Sequence, residues 1–196
     1  MQPTVMQYVV AGLVLTVVGL AAVPGYRRWR RRETERRRLQ RVTAIAYDHL
    51  QDVLVPDGNE GQLHVDFLLL TAAGALVVDM RDVPGLIFGS ESMDDWTVMD
   101  GTRRATFANP LGPLFDRVAA VKQLAGKELP VEGRVLFAPG GTFPKGRPPQ
   151  VALLEALGDE FPPADRSIEP SPVAHWAAEW EALRAAVVPS PAVRRR

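Results

Sequence analysis

The run Val65-Asp66-Phe67-Leu68-Leu69-Leu70, the small-residue link Thr71-Ala72-Ala73-Gly74 and the run Ala75-Leu76-Val77-Val78-Asp79-Met80-Arg81 most narrow what this chain can become. Two short apolar runs around a small turn predict a β-hairpin. Each run also carries an acid where burial alone would place another aliphatic residue. An ionised carboxylate taken out of water is costly unless it is paired, hydrogen-bonded or bound to a metal. One reading is therefore chemical: Asp66 and Asp79 hold Mg²⁺ and Arg81 steadies a phosphate, because hard divalent cations choose carboxylate oxygens. The other is structural: both acids sit at strand ends, solvated, and pair with Arg81 or a helix N-terminus.

The chain opens on an apolar segment. Residues Thr4–Val23 carry no charge, and about 20 helical residues span a hydrocarbon core, so a single transmembrane helix is expected over 4–23. Pro24-Gly25 ends it, and an arginine block follows, with Tyr26 and Trp29 where interfacial aromatics sit. No Lys or Arg precedes the span, which is unlike a cleaved signal peptide. The arginines predict a single-pass protein of the inner, cytoplasmic membrane of bacterial type, with the rest of the chain in the cytoplasm. The chain has no cysteine, which agrees with that compartment.

The formal net charge of zero conceals a separation. Residues 27–41 hold nine Arg against Glu33 and Glu35, and Arg194–Arg196 add three more. Residues 42–193 hold 11 basic against 21 acidic side chains, a net of −10. Non-specific nucleic-acid binding draws on Lys and Arg contacts to phosphate, so an acidic domain disfavours nucleic acid as a partner. Membrane lipids are the expected partner of the N-terminal helix and the Arg27–Arg41 segment, at about 1 kcal/mol per basic residue near an anionic surface. A partner protein is not specified.

Further along, Leu39, Val42, Ile45, Ala46 and Leu50 recur at spacings of three and four and predict a helix over Glu33–Gln51. Pro56–Gly61 reads as a loop, Leu86–Gly89 as a third strand after Pro84-Gly85, and Asp94–Arg104 as a short antiparallel strand or a loop. Asn109-Pro110 and Gly126 bracket a helix of about fifteen residues whose apolar stripe is Leu111, Leu114, Phe115, Val118, Val121 and Leu124. Arg134–Ala138 predicts a strand, Gly140–Pro149 a loop, Val151–Leu157 a short helix, and Pro172–Val187 a final helix capped by Ser171. The expected organisation is a transmembrane helix (4–23), a basic juxtamembrane segment (24–41), one cytoplasmic domain (42–188) and a tail (189–196). The order helix, three strands, helix, strand predicts an α/β fold with C-terminal helices.

The segments "HVDFLLLTAAGALVVDMRDVPGLIFG", Trp96, "ANPLGPLFDRVAAVKQLAG" and "VEGRVLFA", in that order over roughly residues 42–140, resemble the nuclease-related domain, NERD, a branch of the restriction-endonuclease-like fold. The resemblance implies a restriction-endonuclease-like core in which Asp66 matches a metal-binding acid, Asp79 the acid of an acid-x-Lys motif and Arg81 its lysine. It also implies a Mg²⁺-dependent nuclease. The chain departs from the family at three places. Arg81 replaces lysine, and a guanidinium with a pKa above about 12 holds phosphate oxygens but cannot serve as a base. Pro113 stands where the family often has glutamine. The family's Gly-Glu pair on the first helix has no clear match in Val42–Leu50. Two functions are thus expected: a metal-dependent nuclease or phosphodiesterase with a degraded active site, or a catalytically silent binding or scaffold module at the cytoplasmic face of the membrane.

Other motifs carry less. His49, His64 and His175 are the only histidines and lack zinc-ligand spacing. His64, two residues before Asp66 on one strand, is either a pocket residue or a satisfied strand-end histidine. Pro139–Gly146 has the outline of a phosphate loop without its Gly-Lys-Ser/Thr core and reads as an ordinary loop. Trp176 and Trp180, four apart, form a stripe with Leu183 and Val187 that packs into a core or docks on a partner or membrane.

Overall fold

The computed structural model describes residues 26, 29–30 and 32–191. They divide into two compact units between Gln40 and Arg41. The expected membrane span, 4–23, lies outside the described residues, as do residues 192–196. Among the described residues no helix is long and apolar enough to cross a membrane. The described residues of the first unit are helical, with Tyr26 and Trp29 exposed and the Arg37 Nε donating to Glu33 Oε1 at 2.8 Å across one turn.

Helix α1 (residues 32–43) ends earlier than its periodicity suggests, and Asp48–Pro56 is strand β1 instead of the end of that helix. The apparent three-and-four spacing joins positions from two elements: Val42 lies on the helix, Ile45 and Ala46 in the buried turn after it, and Leu50 on the strand. Pairing decides the outcome, since β1 lies antiparallel to β2 (Gln62–Thr71) along its length.

The predicted hairpin is β2 and β3 (Gly74–Arg81), joined by Ala72 and Ala73. Thr71 Oγ1 donates to the Gly74 carbonyl at 2.9 Å and accepts the Ala73 N–H at 3.2 Å. Gly74 is at φ 123, and a Cβ there would stand 2.4 Å from the Pro130 carbonyl oxygen, so both conformation and space require glycine.

Strands β4 (Gly85–Phe88), β5 (Asp95–Asp100) and β6 (Arg103–Ala108) follow as an antiparallel meander. Helix α2 (Leu111–Ala125) starts where Asn109 Oδ1 accepts the Leu111 N–H at 2.9 Å and closes at Gly126, φ 76. Phe115, expected on its apolar stripe, is exposed. Strand β7 (Val131–Phe137) runs parallel to β3. After β8 (Gly141–Thr142), residues Val151–Leu153 form β9, parallel to β7, where a helix was expected. The open edge of β7 supplies that short segment with backbone partners and buries Val151 and Ala152, which local propensity does not anticipate. A 3₁₀ turn (Leu154–Ala156) and helix α3 (Leu157–Glu160) follow. The final helix is shorter than expected: a 3₁₀ turn (Ala174–Trp176), then α4 (Ala177–Ala186), with β10 (Val188–Pro189) after it. Ser171 contributes its carbonyl, accepting the Ala174 N–H at 2.9 Å, in place of a side-chain cap.

The result is the expected mixed α/β class, with two sheets in the orders β10-β1-β2-β3-β7-β9 and β6-β5-β4-β8. Strand β4, expected as the third strand, belongs to the smaller sheet, and β1 takes the place beside the hairpin. Helix α2 packs on the main sheet so closely that a Cβ on Gly133 would meet Val118 Cγ2 at 2.5 Å. Trp96 of the small sheet is fully buried and stacks on Phe137 of the main one, with Phe107 and Phe143 edge-on. Trp180 is likewise in the core, its Nε1 donating to Asp48 Oδ2 at 2.9 Å, as the packing reading of its stripe requires.

Candidate functional site

The β1–β2 ladder runs from Asp48 opposite Leu70 to Pro56 opposite Gln62, and the one pair missing from it is Asp52 opposite Asp66. At that point both strands change phase. In β1 the core-facing positions are Leu50, Val53 and Val55, and in β2 they are Leu70, Leu68, Val65 and Leu63. A strand alternating strictly would keep a spacing of two throughout. Here each strand takes one step of three across its acid, so the register is preserved while one residue of each strand leaves the pattern. Asp52 has φ 51, in a region uncommon for a residue other than glycine. Paired irregularities of this kind bend strands and re-aim side chains.

The β2–β3 ladder ends beside the same place, at Phe67 opposite Val78. Beyond it, Asp66 Oδ2 accepts a hydrogen bond from the Met80 backbone N–H at 2.7 Å, replacing a ladder bond with a side-chain one. Extending the register of the Phe67–Val78 pair by one residue sets Asp66 across from Asp79, near enough for the Asp66 carboxyl to raise the pKa of Asp79. Asp79 is only 5% exposed. Arg81 donates to Asp79 Oδ2 at 2.7 Å, and Arg117 of α2 stands 3.6 Å from the same oxygen. Arg117 is anchored through its Nε to the His64 carbonyl, and its partly buried guanidinium leaves one nitrogen without a hydrogen bond. On the other side, His64 Nδ1 lies 3.5 Å from Asp66 Oδ1 and Nε2 lies 3.5 Å from Asp52 Oδ1.

The two predicted acids are therefore adjacent, with Arg81 on Asp79. Burial pushes the Asp79 carboxyl above the usual aspartate range; Arg81 and Arg117 pull it down, and Asp66 pushes it up. Two carboxyls held together in a partly dry place, one of them driven towards protonation, make a donor set that fits a hard divalent cation. Asp52, His64 and Asp66 also bring one ligand atom each within 4.8 Å of one another, the only such three-residue set among the described residues.

Three residues escaped the sequence reading. The signal for Asp52 is the step of three in Leu50-x-x-Val53-x-Val55, mirrored at Asp66 in Val65-x-x-Leu68-x-Leu70. For His64 the sequence signal is its place two residues before Asp66, which gives a pocket or strand-end position but no metal-ligand spacing. Arg117 sits three after Leu114 and four before Val121, a cation among the core-facing positions of its helix. The glycine-rich Pro139–Gly146 segment holds the short strand β8 between two turns, with the Gly146 N–H donating to the Phe143 carbonyl and Lys145 over the Phe88 ring.

The raised pKa of Asp79 has a consequence for stability. A carboxyl whose pKa rises on folding contributes stability that is complete below the unfolded acid's range and lost as pH climbs through the folded value. Calorimetric melting of the cation-free chain from about pH 4 to about pH 7 should therefore show Asp79→Asn gaining on the wild type as pH rises. A variant that instead falls progressively behind the wild type would mean that the arginine pairs outweigh burial.

Residues 29–138, more than half of the chain, match the family model of the nuclease-related domain, NERD. Over 104 residues the chain is 25% identical to an uncharacterized protein of Bacillus anthracis, covering 53% of this chain and 49% of that relative, so it spans about half of the relative's length. No solved structure matches the chain. The matched segment runs through β1 to β7 and contains Asp52, His64, Asp66, Asp79, Arg81 and Arg117; the chain belongs to the nuclease-related domain family.

Proposed function

We propose that this chain is a divalent-metal-dependent nuclease or phosphodiesterase with a restriction-endonuclease-like core, tethered to the cytoplasmic face of the inner membrane through residues 4–23. The observation that carries the reading is the meeting of Asp66 and Asp79 beside two arginines. The core arrangement supports it, with a helix and three antiparallel strands followed by α2 and a parallel β7.

In this reading Asp66 and Asp79 hold Mg²⁺ or a related cation. When bound, such an ion supplies Lewis acidity and a water of lowered pKa. The chain's own groups do the rest. The Met80 N–H fixes the Asp66 carboxylate, so the ligand needs little reordering when the site fills. Arg81 and Arg117 place positive charge where a phosphodiester gains negative charge, and stabilise it more strongly there than in water. Neither guanidinium can take a proton, so both act as electrostatic stabilisers. The acidic surface of the domain weakens long-range attraction of nucleic acid, and the arginine-rich segment 27–41 supplies the opposite charge near the membrane.

A second reading, a catalytically silent binding module, is favoured by one observation: Arg81, which stands in the family's lysine position, is paired with Asp79. The two separate on the full chain, purified in mild detergent and incubated with single- and double-stranded DNA and RNA in Mg²⁺ or Mn²⁺. Cleavage that chelation stops and Asp79→Ala abolishes supports the nuclease. Intact substrates together with no calorimetric Mg²⁺ binding would retire it in favour of the silent module.

A further inference from the structure

We propose that Asp52, His64 and Asp66 form a nitrogen-containing seat for a first-row divalent transition cation, represented by Mn²⁺, at the edge of the Asp66–Asp79 pair. The inference rests on the reading of Asp66 as a metal ligand and adds to it the class of cation and two residues, Asp52 and His64, outside the hairpin's acid motif.

The His64 imidazole lies between two acids in the fold. Its two nitrogens face two different carboxylates, each at 3.5 Å. That separation is longer than an ordinary N–H···O hydrogen bond. Among the described residues neither ring nitrogen makes a hydrogen bond, although the ring lies between two acids. A histidine placed for structure alone would be expected to close on one of them. A cation takes one of the two ring nitrogens, and bonds of about 2.1 Å put neighbouring ligand atoms roughly 3.0–3.4 Å apart; with one atom from each residue the set lies within 4.8 Å, so the side chains close in when an ion is seated. All three side chains are half-buried, which leaves an entry path for an ion.

Backbone construction brings the set together. The matched change of phase removes Asp52 and Asp66 from the alternation at facing positions, and the Asp52 carbonyl is held by the Ser190 N–H at 2.7 Å. The chemistry of the donors then selects the ion. Magnesium prefers oxygen ligands and gives up water reluctantly, whereas imidazole nitrogen suits first-row transition ions. A site of two carboxylates and one imidazole, with Asp79 next to it, discriminates for Mn²⁺ over Mg²⁺ through His64.

The test uses the full chain in mild detergent, Mn²⁺ and Mg²⁺ titrations by calorimetry, and pulsed electron paramagnetic resonance of the Mn²⁺-loaded protein. The expected result is nitrogen-14 coupling from one imidazole in the wild type, and Mn²⁺ binding at least about tenfold tighter than Mg²⁺. In His64→Gln the coupling should vanish and Mn²⁺ affinity fall by about 10–100-fold. Mg²⁺ affinity should change little, so the preference between the ions collapses. Asp52→Asn should weaken Mn²⁺ while leaving the nitrogen coupling. Mn²⁺ bound without nitrogen coupling, no Mn²⁺ binding, or an unchanged affinity in His64→Gln would each overturn the proposal. The wild-type spectrum decides even where a variant fails to fold. Nitrogen coupling without nucleic-acid cleavage would sink the nuclease reading alone, and Mg²⁺-dependent cleavage without coupling would sink this one alone.

Discussion

Asp66→Asn is expected to leave the fold intact and reduce metal-dependent cleavage by about 10²–10⁴-fold, the rate equivalent of several kcal/mol of lost transition-state stabilisation. The Asp66 carboxylate has two jobs. Its Oδ2 accepts the Met80 N–H at 2.7 Å, a bond that an asparagine carbonyl can also accept. Its charge faces Asp79 and His64 and is the part a cation requires. Asp66→Ala removes both, and should additionally lose about 1–3 kcal/mol of stability because the Met80 amide loses its acceptor. Measuring cleavage and urea-unfolding midpoints for both variants separates the roles. Asparagine retaining near-wild-type cleavage would remove Asp66 from the metal site.

Trp96→Ala should carry the largest stability cost, about 3–5 kcal/mol, as expected for truncating a fully buried aromatic. Trp96 is completely inaccessible, and its ring stacks on Phe137 at 6.2 Å while Phe107 and Phe143 meet it edge-on. The Gly89 backbone lies so near that a Cβ there would stand 2.2 Å from the indole, so the surrounding structure is shaped around the ring. The indole N–H also donates to the Ser90 carbonyl at 3.1 Å, and alanine would leave that oxygen to find water. Since Phe137 ends β7 and Trp96 belongs to the smaller sheet, the loss should loosen the seam between the sheets. Denaturant unfolding followed by near-ultraviolet circular dichroism would measure it. A shift below about 1 kcal/mol would show that the cluster repacks around the void.

The hairpin was legible because its signals are local: two apolar runs, a turn with glycine at its left-handed position, and strand lengths that match. The same is true of α2, bracketed by Asn109 and Gly126. The misreadings have one common cause. Leu39 to Leu50 presents helical spacing only if a single element is assumed, and Val151–Leu157 looks helical until the edge of β7 is available. In both, backbone pairing with residues distant in sequence outweighed a weak local preference.

The sequence by itself determined the acids at 66 and 79, the hairpin that carries them and the helix that follows, because periodicity and turn chemistry act over a few residues. It also displayed the apolar segment 4–23 and the arginines after it. Only the tertiary structure decided that β1, not β4, lies beside the hairpin, that Asp52 and Asp66 leave the ladder together, and that α2 brings Arg117 to Asp79. Those outcomes depend on strand register and on one helix's rotation against a sheet, which are set where many buried side chains pack at once. A site assembled from three strands and a helix is specified by that packing, and residues twelve to fifty-three positions apart in sequence meet in it.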